Sequence, residues 1–98
     1  MKVYITGDSK LIIQSAVNAA IKESQYDISE IITTNRTGVE NLSQIYAQRR
    51  KIPVIFCKDL TSALRLADAV IVVGAKMSII DLVKHLQNRV GMMHVKEI

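Results

Sequence analysis

Ninety-eight residues with 49% hydrophobic content, evenly spread, make one compact domain (1–98) and exclude a disordered chain. A formal net charge of +4 is mildly basic and dispersed, which gives a solvated surface favourable to acidic ligands. The single cysteine, Cys57, excludes an internal disulfide and a Cys-based zinc cluster and fits a reducing cytoplasm. No stretch approaches the roughly 20 apolar residues of a membrane span, and the opening residues read as strand rather than leader.

Lys2–Thr6 is a short β-branched run closed by Gly7. From about Ser9 to Ser24 the residues Ile13, Ala16, Val17, Ala20 and Ile21 repeat with helical period, and Asp8 or Ser9 can cap that helix. Glu30–Thr34 predicts a second strand. Thr37-Gly38-Val39-Glu40 then fits a capping box, before a helix with Val39, Leu42, Ile45 and Tyr46 as its buried stripe. Pro53 opens a third strand, Val54–Cys57, where its fixed φ is tolerated. Asp59–Leu66 predicts a short helix. Ala69–Val73, unbroken by polar residues, predicts a strand covered on both faces. Ser78-Ile79-Ile80-Asp81 is a second capping box. Its helix carries Ile79, Leu82, Val83, Leu86 and Val90 on one face and stops at Gly91. Met93–Ile98 predicts a last strand at a sheet edge.

Strands alternating with helices imply one α/β domain, a five-stranded parallel sheet with right-handed crossovers and helices on both faces. In such sheets ligands sit beyond the carboxyl ends of the strands. Three strand-to-helix junctions would meet there: Thr6-Gly7-Asp8-Ser9, Thr34-Asn35-Arg36-Thr37-Gly38 and Gly74-Ala75-Lys76-Met77-Ser78. Helix N-termini expose unpaired N–H groups and a partial positive charge, so this edge suits an anionic ligand. Gly7, Gly38 and Gly74, three of the four glycines, can supply positive φ or close backbone approach there, although tight turns use glycine anyway. GxGxxG after the first strand and GxxxxGK[ST] are both absent, which excludes a standard dinucleotide fold and a P-loop.

Arg36 and Lys76 are the cations within these loops, and Arg36 can grip a phosphate in bidentate fashion. Arg49-Arg50-Lys51 falls at a helix C-terminus, where positive charge complements the dipole. No aromatic stacking platform accompanies it, which disfavours nucleic acid as a partner. His85 and His94 lack partners at metal-ligand spacing, so no metal site and no cofactor is expected. Cys57, ending an apolar strand, reads as a buried small hydrophobe. Glu40 and Asp81 are the carboxylates nearest the presumed site; each has a capping task, and a general-base role is the minority reading.

Taken together, these junctions resemble the SLOG superfamily, a Rossmann-like group that includes DprA and the LOG phosphoribohydrolases. Thr34-Asn35-Arg36-Thr37-Gly38-Val39-Glu40 stands where family members carry Gly-Gly-Ala-x-Gly-x-Asp. Val73-Gly74-Ala75-Lys76-Met77-Ser78, followed by Asp81, stands for Pro-Gly-Gly-x-Gly-Thr and its acid. The resemblance implies the strand order 3-2-1-4-5 and nucleotide-derived ligands such as ADP-ribose-like or cyclic nucleotide signals. Ala75 and Met77 replace two glycines. The arginine that LOG enzymes use falls near Asp59, while Arg65, the one arginine of that helix, lies nearly two turns away.

The resulting expectation is a non-catalytic, cytoplasmic, nucleotide-binding homo-oligomer that senses or sequesters its ligand, in a concrete version a phage protein acting against a defence signal. Its ligand would contact Gly7, Asp8, Ser9, Asn35, Arg36, Thr37, Gly38, Gly74, Lys76, Met77 and Ser78. Two alternatives stand beside it: an N-glycosidic hydrolase using Glu40 or Asp81, and a DprA-like nucleic-acid-binding module. A homo-oligomer contact would come from the first helix, or from the helix starting at Gly38 with Tyr46 exposed.

Overall fold

The computed structural model describes residues 1–8, 10, 13–74 and 92–96. In chain order these form β1 (Lys2–Gly7), α1 (Gln14–Ser24), β2 (Glu30–Thr33), α2 (Gly38–Arg50), β3 (Val54–Phe56), α3 (Leu60–Leu66), β4 (Ala69–Val73) and β5 (Met92–Lys96). All strands pair in parallel in one sheet ordered β3-β2-β1-β4-β5. This is the α/β architecture and strand order expected above. The second capping box, the helix expected between residues 78 and 90, His85, Gly91 and the last two residues lie outside the described residues, as does Ser9.

Strand alternation divides the core into two layers. On one face Val3, Ile5, Ile31, Ala69, Ile71 and Val73 are buried against Val17, Ala20 and Ile21 of α1 and Val39 and Ala47 of α2. On the other, Tyr4, Ile32, Val70 and Val72 are buried against Ala63 and Leu64 of α3. Helices therefore cover both faces. β4 is fully buried along its length, as a central strand must be. Each buried Val or Ile contributes roughly 1.5–3 kcal/mol relative to exposure.

Two helices depart from the pattern read from sequence. α1 begins at Gln14, not near Ser9, with Ile13 at the N-cap and no side-chain cap. Asp8 caps no helix: its Oδ1 accepts from the Lys10 N–H at 2.8 Å, closing a local turn. Ile13 is 52% exposed rather than part of the apolar stripe. In α2 the sheet-facing row is Val39, Ser43 and Ala47, spaced by four, with Glu40 beside it. Ile45 falls off that row and is 39% exposed, while Leu42 and Tyr46 flank it, half-buried. Small residues at 43 and 47 let the helix approach the sheet closely, and the bulkier apolar residues are displaced to its sides. At the same carboxyl edge, α3 starts where expected, with the Asp59 carboxylate accepting from the Ser62 N–H at 2.8 Å.

Gly7 ends β1 beside Val73 of β4. Its φ is +155°, and a Cβ built there would stand 2.0 Å from the carbonyl oxygen of Val73. That carbonyl accepts from the Asp8 N–H at 3.0 Å. Glycine is needed here for the seam between the two central strands, a structural demand that exists without any ligand.

Candidate functional site

The carboxyl edge of the sheet gathers the junctions that the sequence points to. The Val39 N–H donates to the Asp8 carbonyl at 3.3 Å, so the first junction touches the second directly. The Gly74 N–H donates to the Lys96 carbonyl at 2.7 Å, and Gly74 turns with φ +59°. Gly7, Asp8, Asn35, Arg36, Thr37, Gly38 and Gly74 thus share one edge; Lys76, Met77, Ser78 and Asp81 lie outside the described residues.

The centre of this edge is Glu40, which is 1% exposed. The capping box forms only halfway. Thr37 Oγ1 accepts from the Glu40 N–H at 3.1 Å, as an N-cap threonine should. The Glu40 side chain does not return to Thr37. It turns to the end of β2, where Oε1 accepts from the Thr34 N–H at 2.6 Å and from the Thr34 hydroxyl at 2.5 Å. Oε2 is held more loosely, 3.5 Å from the Thr6 hydroxyl. A buried carboxylate is tolerable because these donors and the N-terminal end of α2 replace its water.

A cavity of about 140 Å³ opens beside this carboxylate, lined by Tyr4 and Thr6 of β1, Thr34, Arg36, Thr37, Glu40 and Leu60. Tyr4 and Thr6 alternate on the face of β1 opposite Val3 and Ile5, so both reach it. Burial pushes the Tyr4 phenol up to about 12, helped by the Glu40 charge and opposed by hydrogen bonding to Thr6 and Thr34. The fold therefore favours the neutral phenol. Its contribution, on the order of 3 kcal/mol at 1.36 kcal/mol per unit, is intact below pH 10 and lost as pH climbs from 10 to 12. In an alkaline titration followed by tyrosinate absorbance, Tyr4 should ionise only near pH 12, and Tyr4→Phe should remove that step. Ionisation of all three tyrosines near pH 10 in a folded protein would contradict this assignment.

Arg36 stands at the rim, its Nη2 donating to the Lys58 carbonyl at 2.7 Å. That bond braces the guanidinium across the mouth, and among the described residues its remaining donors have no acceptor. Asp59 nearby is held below the usual carboxylate range, mainly by its bond from the Ser62 N–H, with Arg36 adding to the effect.

Two expectations about backbone need revision. Gly38 does not adopt positive φ; the left-handed residue of that loop is Asn35, at φ +58°. The α2 N-terminus is also less open than a bare helix end. The Val39 and Glu40 N–H groups already have protein acceptors, leaving Gly38 the one described donor of the first turn without one. Cys57 is half-buried rather than buried, and burial together with the Asp59 charge pushes its thiol up, away from nucleophilic reactivity.

Tyr4, Thr6, Thr34 and Leu60 were not among the residues expected to touch a ligand. Period-two alternation in Lys2–Thr6 was the available signal, since it puts Tyr4 and Thr6 on one face. A broader groove of about 600 Å³ lies between the ends of α1 and α2, away from this edge. The smaller cavity is the better candidate site because a buried carboxylate and several hydroxyls converge on it. No protein-family model matches the chain, and no curated protein or solved structure matches it either.

Proposed function

We propose that this domain binds a nucleotide-derived small molecule at the carboxyl edge of its sheet, as a non-catalytic sensor or sequestering protein. The observation that carries the reading is the buried Glu40 carboxylate, whose loosely held Oε2 and neighbouring Tyr4, Thr6 and Thr37 form a polar cavity at the open edge. Hydroxyl groups of a sugar ring fit such acceptors and donors. The cavity is smaller than the roughly 300–1,000 Å³ of a whole-ligand pocket, so it would take one group while the rest lies along Asp8, Gly38 and Arg36. The resemblance to SLOG proteins and the strand order they share point the same way. Sequestration of an ADP-ribose-like or cyclic nucleotide defence signal is the concrete form of this reading.

Hydrolysis by Glu40 is the less favoured alternative, since its Oε1 is already taken by two donors from Thr34. Calorimetry with ADP-ribose and cyclic nucleotides is the test. Arg36→Ala should weaken binding by about 1.5–3 kcal/mol, the range for a charge-assisted bond. Gly38→Val should abolish binding while leaving thermal stability nearly unchanged, because this glycine has no left-handed φ to protect. If both variants bind as the parent does, the ligand site is elsewhere; release of free base in the calorimeter cell would establish the hydrolase instead.

A further inference from the structure

The groove between α1 and α2 lies at the opposite end of the domain from the cavity at Glu40, because helices that connect parallel strands end at the strands' amino edge. It is lined by Asn18, Lys22, Tyr26, Tyr46 and Arg50 among others, with a volume of about 600 Å³. The Arg50 guanidinium lies over the Tyr46 ring, 4.8 Å from its centroid. That stack supplies the aromatic platform that the linear sequence around Arg49-Arg50-Lys51 does not show. Tyr26 enters the same groove from the turn after α1.

The charges there are uncompensated. Among the described residues, Lys22, Arg49, Arg50 and Lys51 have no carboxylate within ion-pair distance, and no carboxylate lines the groove. Glu23, next to Lys22 in the chain, is instead engaged by Lys96 of β5 at 2.9 Å. Planar rings and a stacked guanidinium among unpaired cations suit alternating bases and phosphates. An acidic peptide would use the cations and leave the rings without a function.

We propose that the α1–α2 groove binds single-stranded nucleic acid, with Lys22 and Arg50 on phosphates and the Tyr46–Arg50 stack and Tyr26 against bases. The site is separate from the cavity at Glu40 and does not depend on what that cavity binds. A fluorescently labelled oligothymidylate of about 12 nucleotides, titrated with the full chain and read by anisotropy, tests it. Binding should weaken with salt, with a log–log slope of roughly −2 to −3 for three to four neutralised phosphates. Lys22→Ala with Arg50→Ala should lower affinity at least about ten-fold and flatten the slope by about 1.4. Tyr46→Leu, which keeps an apolar side chain at the site, should lower affinity about five-fold or more without changing the slope. Lys10→Ala, which removes an exposed charge elsewhere, should change nothing.

Four results would each overturn the proposal: no binding at about 50 mM salt, equal losses from Lys10→Ala, equal affinity for polyglutamate, or full affinity in the Tyr46→Leu protein. Light scattering on the same samples provides a further check. A dimer that Tyr46→Leu dissociates, with no oligonucleotide bound, would assign the groove to a second copy of the chain and overturn the proposal as well.

Discussion

Gly7→Val leaves the domain largely unfolded, and Gly7→Ala does nearly the same. Both place a Cβ where the Val73 carbonyl oxygen now stands, 2.0 Å away, with the Val73 carbon and nitrogen each at 2.8 Å. The obstacle is backbone, so no side-chain rotation relieves it. The φ of +155° adds strain for any residue with a Cβ. Relief requires β1 and β4 to part at the carboxyl end of their pairing, which also breaks the Asp8 N–H to Val73 carbonyl bond. Together these cost about 4 kcal/mol or more, set against a total stability of roughly 5–10 kcal/mol for a domain of this size. Urea unfolding followed by circular dichroism reads the outcome directly. A Gly7→Ala protein within about 1 kcal/mol of the parent would mean that the seam is not as tight as described.

Glu40→Ala should be the next most damaging change, at about 3 kcal/mol. It removes the acceptor of the part-buried Thr34 N–H and hydroxyl and leaves a hole where a buried side chain was. Glu40→Gln separates these contributions from the charge. Its amide oxygen can still accept from Thr34, and its NH₂ can donate to the Thr6 hydroxyl, so the loss should be about 1 kcal/mol. The Tyr4 phenol should ionise at lower pH in both variants, since the Glu40 charge is one of the causes that raise it, although burial remains. Equal stability of the Ala and Gln variants would refute the view that Thr34 depends on this acceptor.

The sheet was legible in the sequence because its strands are β-branched runs of sharply different burial. Ala69–Val73 has no polar residue and occupies an interior position; Met92–Lys96 is mixed and occupies an edge. The Thr37 N-cap was legible because a capping side chain acts within three residues of itself. The start of α1 was not, since the Asp8 side chain found a nearer donor at Lys10. The destination of the Glu40 carboxylate was equally hidden. A capping box read from sequence assigns it to Thr37, whereas the β2–α2 turn brings Thr34 closer, and that choice depends on the left-handed Asn35 between them. The aromatic platform under Arg50 escaped detection for a similar reason. Tyr46 lies one helical turn earlier, and Tyr26 arrives from another element.

The pairing of β1 with β4 also governs the order in which the chain can assemble. Val3 finds its partner in Ala69, across 66 positions, while its other neighbour, Ile31, is 28 away. During synthesis the first two-thirds of the chain can form β1, β2 and β3 with α1 and α2 on one side. Until Ala69–Val73 emerges, however, one edge of β1 has no hydrogen-bonding partner. Closure of that edge is a late, long-range step, and the long intervening loop makes it slow. A nascent chain stalled before residue 69 therefore presents an apolar strand edge of the kind that recruits chaperones or aggregates. Completing the seam at Gly7 and Val73 ends that exposure.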